Sequence, residues 1–124
     1  VKCVEICNYV NYVNWTQQNQ PYMVLHELCH LYHDQALSFD YPPIIVAYQN
    51  ACSSGLYKNT ERYDGYGRYS TTASAYALTD HKEYFAELSE AYWGRNDYFP
   101  YTRQELKTYD PTGFAALEQI WKVK

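Results

Sequence analysis

Apolar positions fall into helical spacing over most of this chain, interrupted by two stretches where no period holds. Residues 1–7 (VKCVEIC) are rich in β-branched side chains and read as a short strand or a sheet edge. Asn8 to Gln20 mixes Asn and Gln with scattered aromatics and reads as a loop, with room for a helical turn. Pro21 suits a first helical turn, and Tyr22 to Leu37 then runs without a breaker. Pro42 and Pro43 open a second helix through about Cys52, which Ser53-Ser54-Gly55 stops. Residues 56–78 are the least regular segment: Asp64-Gly65-Tyr66-Gly67 is a turn cluster, and no helical period comes after it. Helical order resumes at Thr79 or Asp80, either one a suitable N-cap, and runs to Trp93 with Gly94 just past its end. Thr102-Arg103-Gln104-Glu105 has the form of a capping box for a short helix, and Asp110-Pro111 begins a last helix ending near Trp121. The expected fold class is α+β, predominantly helical, in one domain over residues 1–124 with no repeat and no linker.

Composition narrows the function classes. A length of 124 residues supports one core and not two. A net charge of −4 and a pI near 5.5 argue against a nucleic-acid partner, which calls for a basic face. No apolar run approaches the roughly 20 residues of a membrane span. The 16 tyrosines suit half-buried positions where a ring packs and a hydroxyl reaches water; a surface for partners, glycans or self-assembly is the other reading. Cys3, Cys7, Cys29 and Cys52 contain no Cys-x-x-Cys pair, which argues against zinc-ribbon or thioredoxin chemistry. Together with the sequon Asn14-Trp15-Thr16 they lean toward a secreted protein. The chain starts at Val1 with no signal peptide, so a mature or partial chain is expected.

The chemistry concentrates in His26-Glu27-Leu28-Cys29-His30. A helix advances about 100° per residue, so His26 and His30 lie one turn apart on one face. Both imidazoles can then converge on one Zn²⁺, which takes nitrogen ligands at roughly 2.0–2.1 Å. Glu27 stands beside the first ligand, where a carboxylate can reach a water without ligating the metal. A catalytic zinc needs a third protein ligand. A third His six residues after His30 is excluded, because position 36 is Ala36. His33 comes next on the ligand face, but three successive turns of one helix cannot wrap an ion; it is expected to back a ligand, to face substrate or to be exposed. The remaining source is a Glu or Asp on a second helix. There Glu83, Glu87 and Glu90 share one stripe at i, i+4 and i+7, with Tyr84, Phe85, Leu88 and Trp93 as the apolar flank.

The pair His26-Glu27-x-x-His30 and Tyr76-x6-Glu83-Tyr84-Phe85-Ala86-Glu87 resembles the lethal-factor-like zincins, which include the catalytic domain of anthrax lethal factor and secreted Pro-Pro endopeptidases. The resemblance covers about residues 1–93. It implies a zincin-like metallopeptidase domain of the gluzincin type. His26, His30 and Glu83 would be the zinc ligands, Tyr76 would point at the zinc-bound oxygen, and Glu87 would accept from a ligand histidine. Asp34 falls where such proteins tend to have an acidic residue on the zinc helix. Cys29 stands where they have a small residue, so the helix is expected to pack differently or to be tied by a disulfide, with Cys52 as a partner. The relatives carry several sheet strands before the zinc helix, while 25 residues precede His26 here. The chain is therefore expected to lack those strands, to take them from another polypeptide, or to be the C-terminal part of a longer domain.

The function these residues imply is hydrolysis of a peptide or protein substrate, with Glu27 as general base and Tyr76, joined by His81, donating to the oxyanion. The rival readings are a non-catalytic assembly protein that keeps the zinc site, and a peptidase that uses Asp64 as third ligand. A thiol enzyme using Cys29 fails physically, since a helix-interior cysteine among apolar residues is inert.

Overall fold

The computed structural model describes residues 8–18 and 21–122. Its elements run α1 (Tyr9–Gln18), α2 (Met23–Tyr32), α3 (Pro42–Ser53), β1 (Lys58–Tyr63), β2 (Tyr69–Ser74), α4 (His81–Trp93), α5 (Arg103–Tyr109) and α6 (Pro111–Ile120). A π-helical turn, His33–Leu37, prolongs α2, and a 3₁₀ turn, Tyr76–Leu78, leads into α4. The architecture is α+β and mostly helical, as expected, with a two-stranded sheet among the described residues. The strand expected over residues 1–7, together with Cys3 and Cys7, lies outside the described residues.

The central helix is α4, buried continuously from Tyr84 to Tyr92. It starts where Asp80 accepts from the Glu83 amide at 2.8 Å, which settles the N-cap on Asp80 rather than Thr79. Around it pack Ile44, Ala47 and Ala51 of α3, Leu106 of α5, Leu117 of α6 and Cys29 of α2. Each large apolar side chain so buried contributes about 1.5–3 kcal/mol. The capping box at Thr102 and Glu105 forms as expected. Asp110 caps α6 at the Gly113 amide and also accepts from the hydroxyls of Tyr57 and Tyr84 at 2.8 and 2.6 Å, so a helix start doubles as a polar anchor inside the core.

Two expectations need correction. The segment expected as a loop from Asn8 is helical through Gln18. Asn8 accepts from the Asn11 amide at 3.1 Å, and no Gly or Pro interrupts residues 9–18, so α1 forms. Residues 56–78 are not irregular either. Asp64 Oδ1 accepts from the amides of Tyr66 (2.6 Å) and Arg68 (3.1 Å), while Gly65 and Gly67 take φ of 84° and 86°. The turn cluster thus closes an antiparallel hairpin, with Thr60 opposite Thr72 and Arg62 opposite Ser70. It shows no apolar alternation because β2 is solvated on both faces. What holds it is backbone: the Tyr63 amide donates to Asp97 and the Phe99 amide to Glu61, so residues 97–99 flank β1 on the side away from β2.

Candidate metal centre

α2 and α4 pack against each other and bring their polar stripes together. His26 Nε2 lies 2.8 Å from Glu83 Oε2 and 3.1 Å from His30 Nε2, and His30 Nε2 lies 3.2 Å from Glu83 Oε2. The three atoms form a nearly equilateral triangle. A tetrahedral ion with bonds of about 2.05 Å needs ligand atoms roughly 3.3 Å apart, so this corner has close to the spacing of one face of a zinc tetrahedron. Two imidazole nitrogens aimed at each other beside a carboxylate form a poor hydrogen-bond network, since at most one proton can lie between them. They form a good cation site. The two-helix motif predicts that these three residues meet, and in the structure they do.

The far side of the His26 ring is equally acidic. Nδ1 stands 3.5 Å from Glu87 Oε1 and 3.8 Å from Glu90 Oε2. Burial by itself depresses the His26 pKa, but the Glu90 hydrogen bond and the charges of Glu87, Glu90 and Glu83 outweigh it and raise the value to about 9. Positive charge is therefore strongly favoured at this point. Burial, reinforced by the Glu90 charge, pushes Glu87 up to about 8 against the pull of His26. Burial likewise raises Glu90, with His26 opposing it. Glu87 occupies the position expected of an acceptor for His26. Glu90 shares that role; the i+7 stripe contained the signal, though only Glu87 was expected there.

A cleft of about 320 Å³ adjoins the His26 and Glu83 corners of the triangle, and Glu27, Tyr76, Arg62 and Tyr98 also line it. Glu27 is exposed and lines this cleft. The Tyr76 ring centroid is 6.3 Å from that of His26. The Glu83 carboxylate raises the Tyr76 pKa, and partial burial adds to it, so the phenol keeps its proton as a hydrogen-bond donor. Arg62, whose guanidinium stacks over Tyr98 at 5.4 Å, was not visible from sequence because register and a bridge between distant segments place it there.

No family model, curated protein or solved structure matches the chain.

Several expected residues lie elsewhere. His81, expected to join Tyr76, is not among the residues lining the cleft, and its Nε2 is tied to the Phe39 carbonyl oxygen at 2.7 Å. His33 is neither exposed nor facing a substrate; it is fully buried, ringed by Phe39, Phe85 and His81. The α2 register turns its side chain inward just where the π-helical turn begins. Cys29 and Cys52 are both free thiols rather than a disulfide, one buried against α4 and the other exposed. Burial pushes the Cys29 thiol up to about 12, consistent with an inert packing role. Asp34 accepts from Gln35 at 2.6 Å, and Asp64 is engaged in the hairpin turn.

Proposed function

We propose that the protein is a zinc-dependent peptidase of the gluzincin type, related in its site to the lethal-factor-like zincins. The observation that carries this reading is the His26–His30–Glu83 triangle, with an unligated Glu27 and a protonated Tyr76 on the cleft above it. Two imidazoles and one carboxylate are the donor set of a catalytic zinc that keeps an open position, and oxygen-preferring ions would gain little from them. When bound, zinc supplies Lewis acidity and makes a coordinated water acidic near neutral pH.

The chain's own residues perform the remaining steps. His26 and His30 offer Nε2, which requires each ring to be neutral with its proton on Nδ1. Glu87 and Glu90 fix that tautomer for His26 by accepting at Nδ1. Glu27 accepts a proton from the attacking water and returns it to the departing amine. Tyr76 donates its hydroxyl to the oxygen of the scissile carbonyl as negative charge develops there, an interaction that strengthens in the transition state. Arg62 and Tyr98 line the same cleft, where a peptide would meet them beside Glu27 and Tyr76.

The test combines metal analysis with turnover of a mixed peptide library. The wild-type chain is expected to carry one zinc, lost in Glu83→Ala. Glu27→Gln should keep the metal and lose about 10²–10⁴-fold in rate. Zinc bound at one equivalent with no library peptide cleaved would reject the peptidase reading and leave a metal-stabilised scaffold.

A further inference from the structure

Glu87 is 5 % exposed, and its Oε2 has no hydrogen-bond partner among the described residues. A buried carboxylate oxygen left bare is costly and calls for an explanation. Glu90, 8 % exposed, stands one turn along α4, and ligand atoms of Glu87, Glu90 and His26 lie within 4.8 Å of one another. Both carboxylates line the cleft, and Asp97 lines it beside them.

We propose that Glu87 and Glu90, with Asp97 beside them, hold a second divalent cation through carboxylate oxygens, on the Nδ1 side of the His26 ring. Charge supports this. Five carboxylates line the cleft (Glu27, Glu83, Glu87, Glu90 and Asp97) against one guanidinium, Arg62. Once ionised, the buried pair Glu87 and Glu90 would place two negative charges side by side, which a divalent ion cancels. A water molecule would satisfy Glu87 Oε2 but leave that charge in a poorly solvated place.

The donors select the kind of ion. Glu87, Glu90 and Asp97 offer oxygen donors only. Carboxylates supplemented by water suit hard cations such as Ca²⁺, with bonds of about 2.3–2.6 Å, or Mn²⁺. His26 keeps its Nδ1 proton and donates to the inner carboxylate oxygens, while Glu87 Oε2 turns to the ion. With that proton in place the ring is neutral, and its Nε2 remains available to the first metal. The inference rests on the carboxylates beside His26 and not on turnover, so it stands or falls separately from peptide hydrolysis.

The test is titration of the zinc-loaded protein with MnCl₂, followed by calorimetry and by the loss of the free Mn²⁺ resonance signal. One Mn²⁺ per chain is expected, displaced by Ca²⁺, with zinc unchanged at one equivalent. Glu87→Gln and the milder Asp97→Asn, each checked for a native helical spectrum, should weaken Mn²⁺ at least tenfold. No Mn²⁺ uptake at millimolar concentration, or equal uptake by wild type and both variants, overturns the proposal. Mn²⁺ uptake sensitive to Glu87→Gln in a protein that takes no zinc would keep this site and reject the zinc reading instead.

Discussion

His33 directly follows the helix of the two proposed metal donors His26 and His30 but serves the core. It is completely buried, and neither ring nitrogen has a hydrogen-bond partner among the described residues. Burial, and then the positive charges of His81, His30 and Lys82, outweigh Asp80 and lower its pKa from 6.5 to about 4. The native state therefore refuses a proton that the unfolded chain accepts between pH 6.5 and 4. Stability tied to His33 is complete above the unfolded value and drains away as the pH falls through this window, by roughly 2–3 kcal/mol. In His33→Phe, urea unfolding should lose less stability than wild type between pH 7 and 4.5; parallel curves would contradict the assignment. Asp110 is the opposite case, a buried carboxyl group with hydrogen-bond partners in place: the hydroxyls of Tyr57 and Tyr84 and the amide of Gly113. Asp110→Ala strands all three donors and is expected to cost about 3–5 kcal/mol in chemical unfolding, against about 1–2 kcal/mol for Tyr84→Phe.

Between elements, the contact that decides the site is that of α2 with α4, and a glycine sets its closeness. A Cβ on Gly94, at the end of α4, would collide with the ring of Tyr22 at the start of α2. Its φ of −155° is open to any residue, so the demand is for space and not for an unusual backbone. Gly94→Ala should push Tyr22 off and spread the two helices, lowering stability by about 1–3 kcal/mol and weakening zinc more than Gly55→Ala does; zinc titration of both variants measures this. Local signals made such boundaries legible: Asp80, Thr102 and Asp110 act within three residues, so their helix starts read directly from sequence. His26 and His30 were legible for the same reason, lying one turn apart. Joining Glu83 to them took a two-helix motif, because nothing local says which face of α4 meets α2. The hairpin was illegible, since its strands bury little and its order comes from pairing with residues 97–99. Arg62 and Tyr98 reach the cleft through that same pairing.

At the scale of the whole molecule, zinc would join the two helices about which everything else is arranged. Of the proposed ligands, two come from α2 and one from α4, and α4 in turn carries the core contacts with α3, α5 and α6. In the unfolded chain Glu83 lies 53 and 57 residues from His30 and His26, with no preformed triangle. Binding to the native state alone stabilises by RT ln(1 + [L]/Kd), about 4 kcal/mol when free zinc exceeds Kd a thousandfold. For a domain of this size that is a shift in Tm of order 10 °C. Excess EDTA should therefore lower the wild-type Tm by about that amount, and zinc should restore it. Glu83→Ala should melt near the chelated wild type and ignore EDTA, because the third ligand is gone. Glu27→Gln should keep the full EDTA response while losing turnover, since Glu27 faces the cleft without belonging to the triangle. The comparison separates binding from chemistry in one thermal experiment. A wild-type Tm indifferent to both EDTA and zinc would mean that the histidine corner holds no metal that matters to the fold, and Glu27 would then have no activated water to serve.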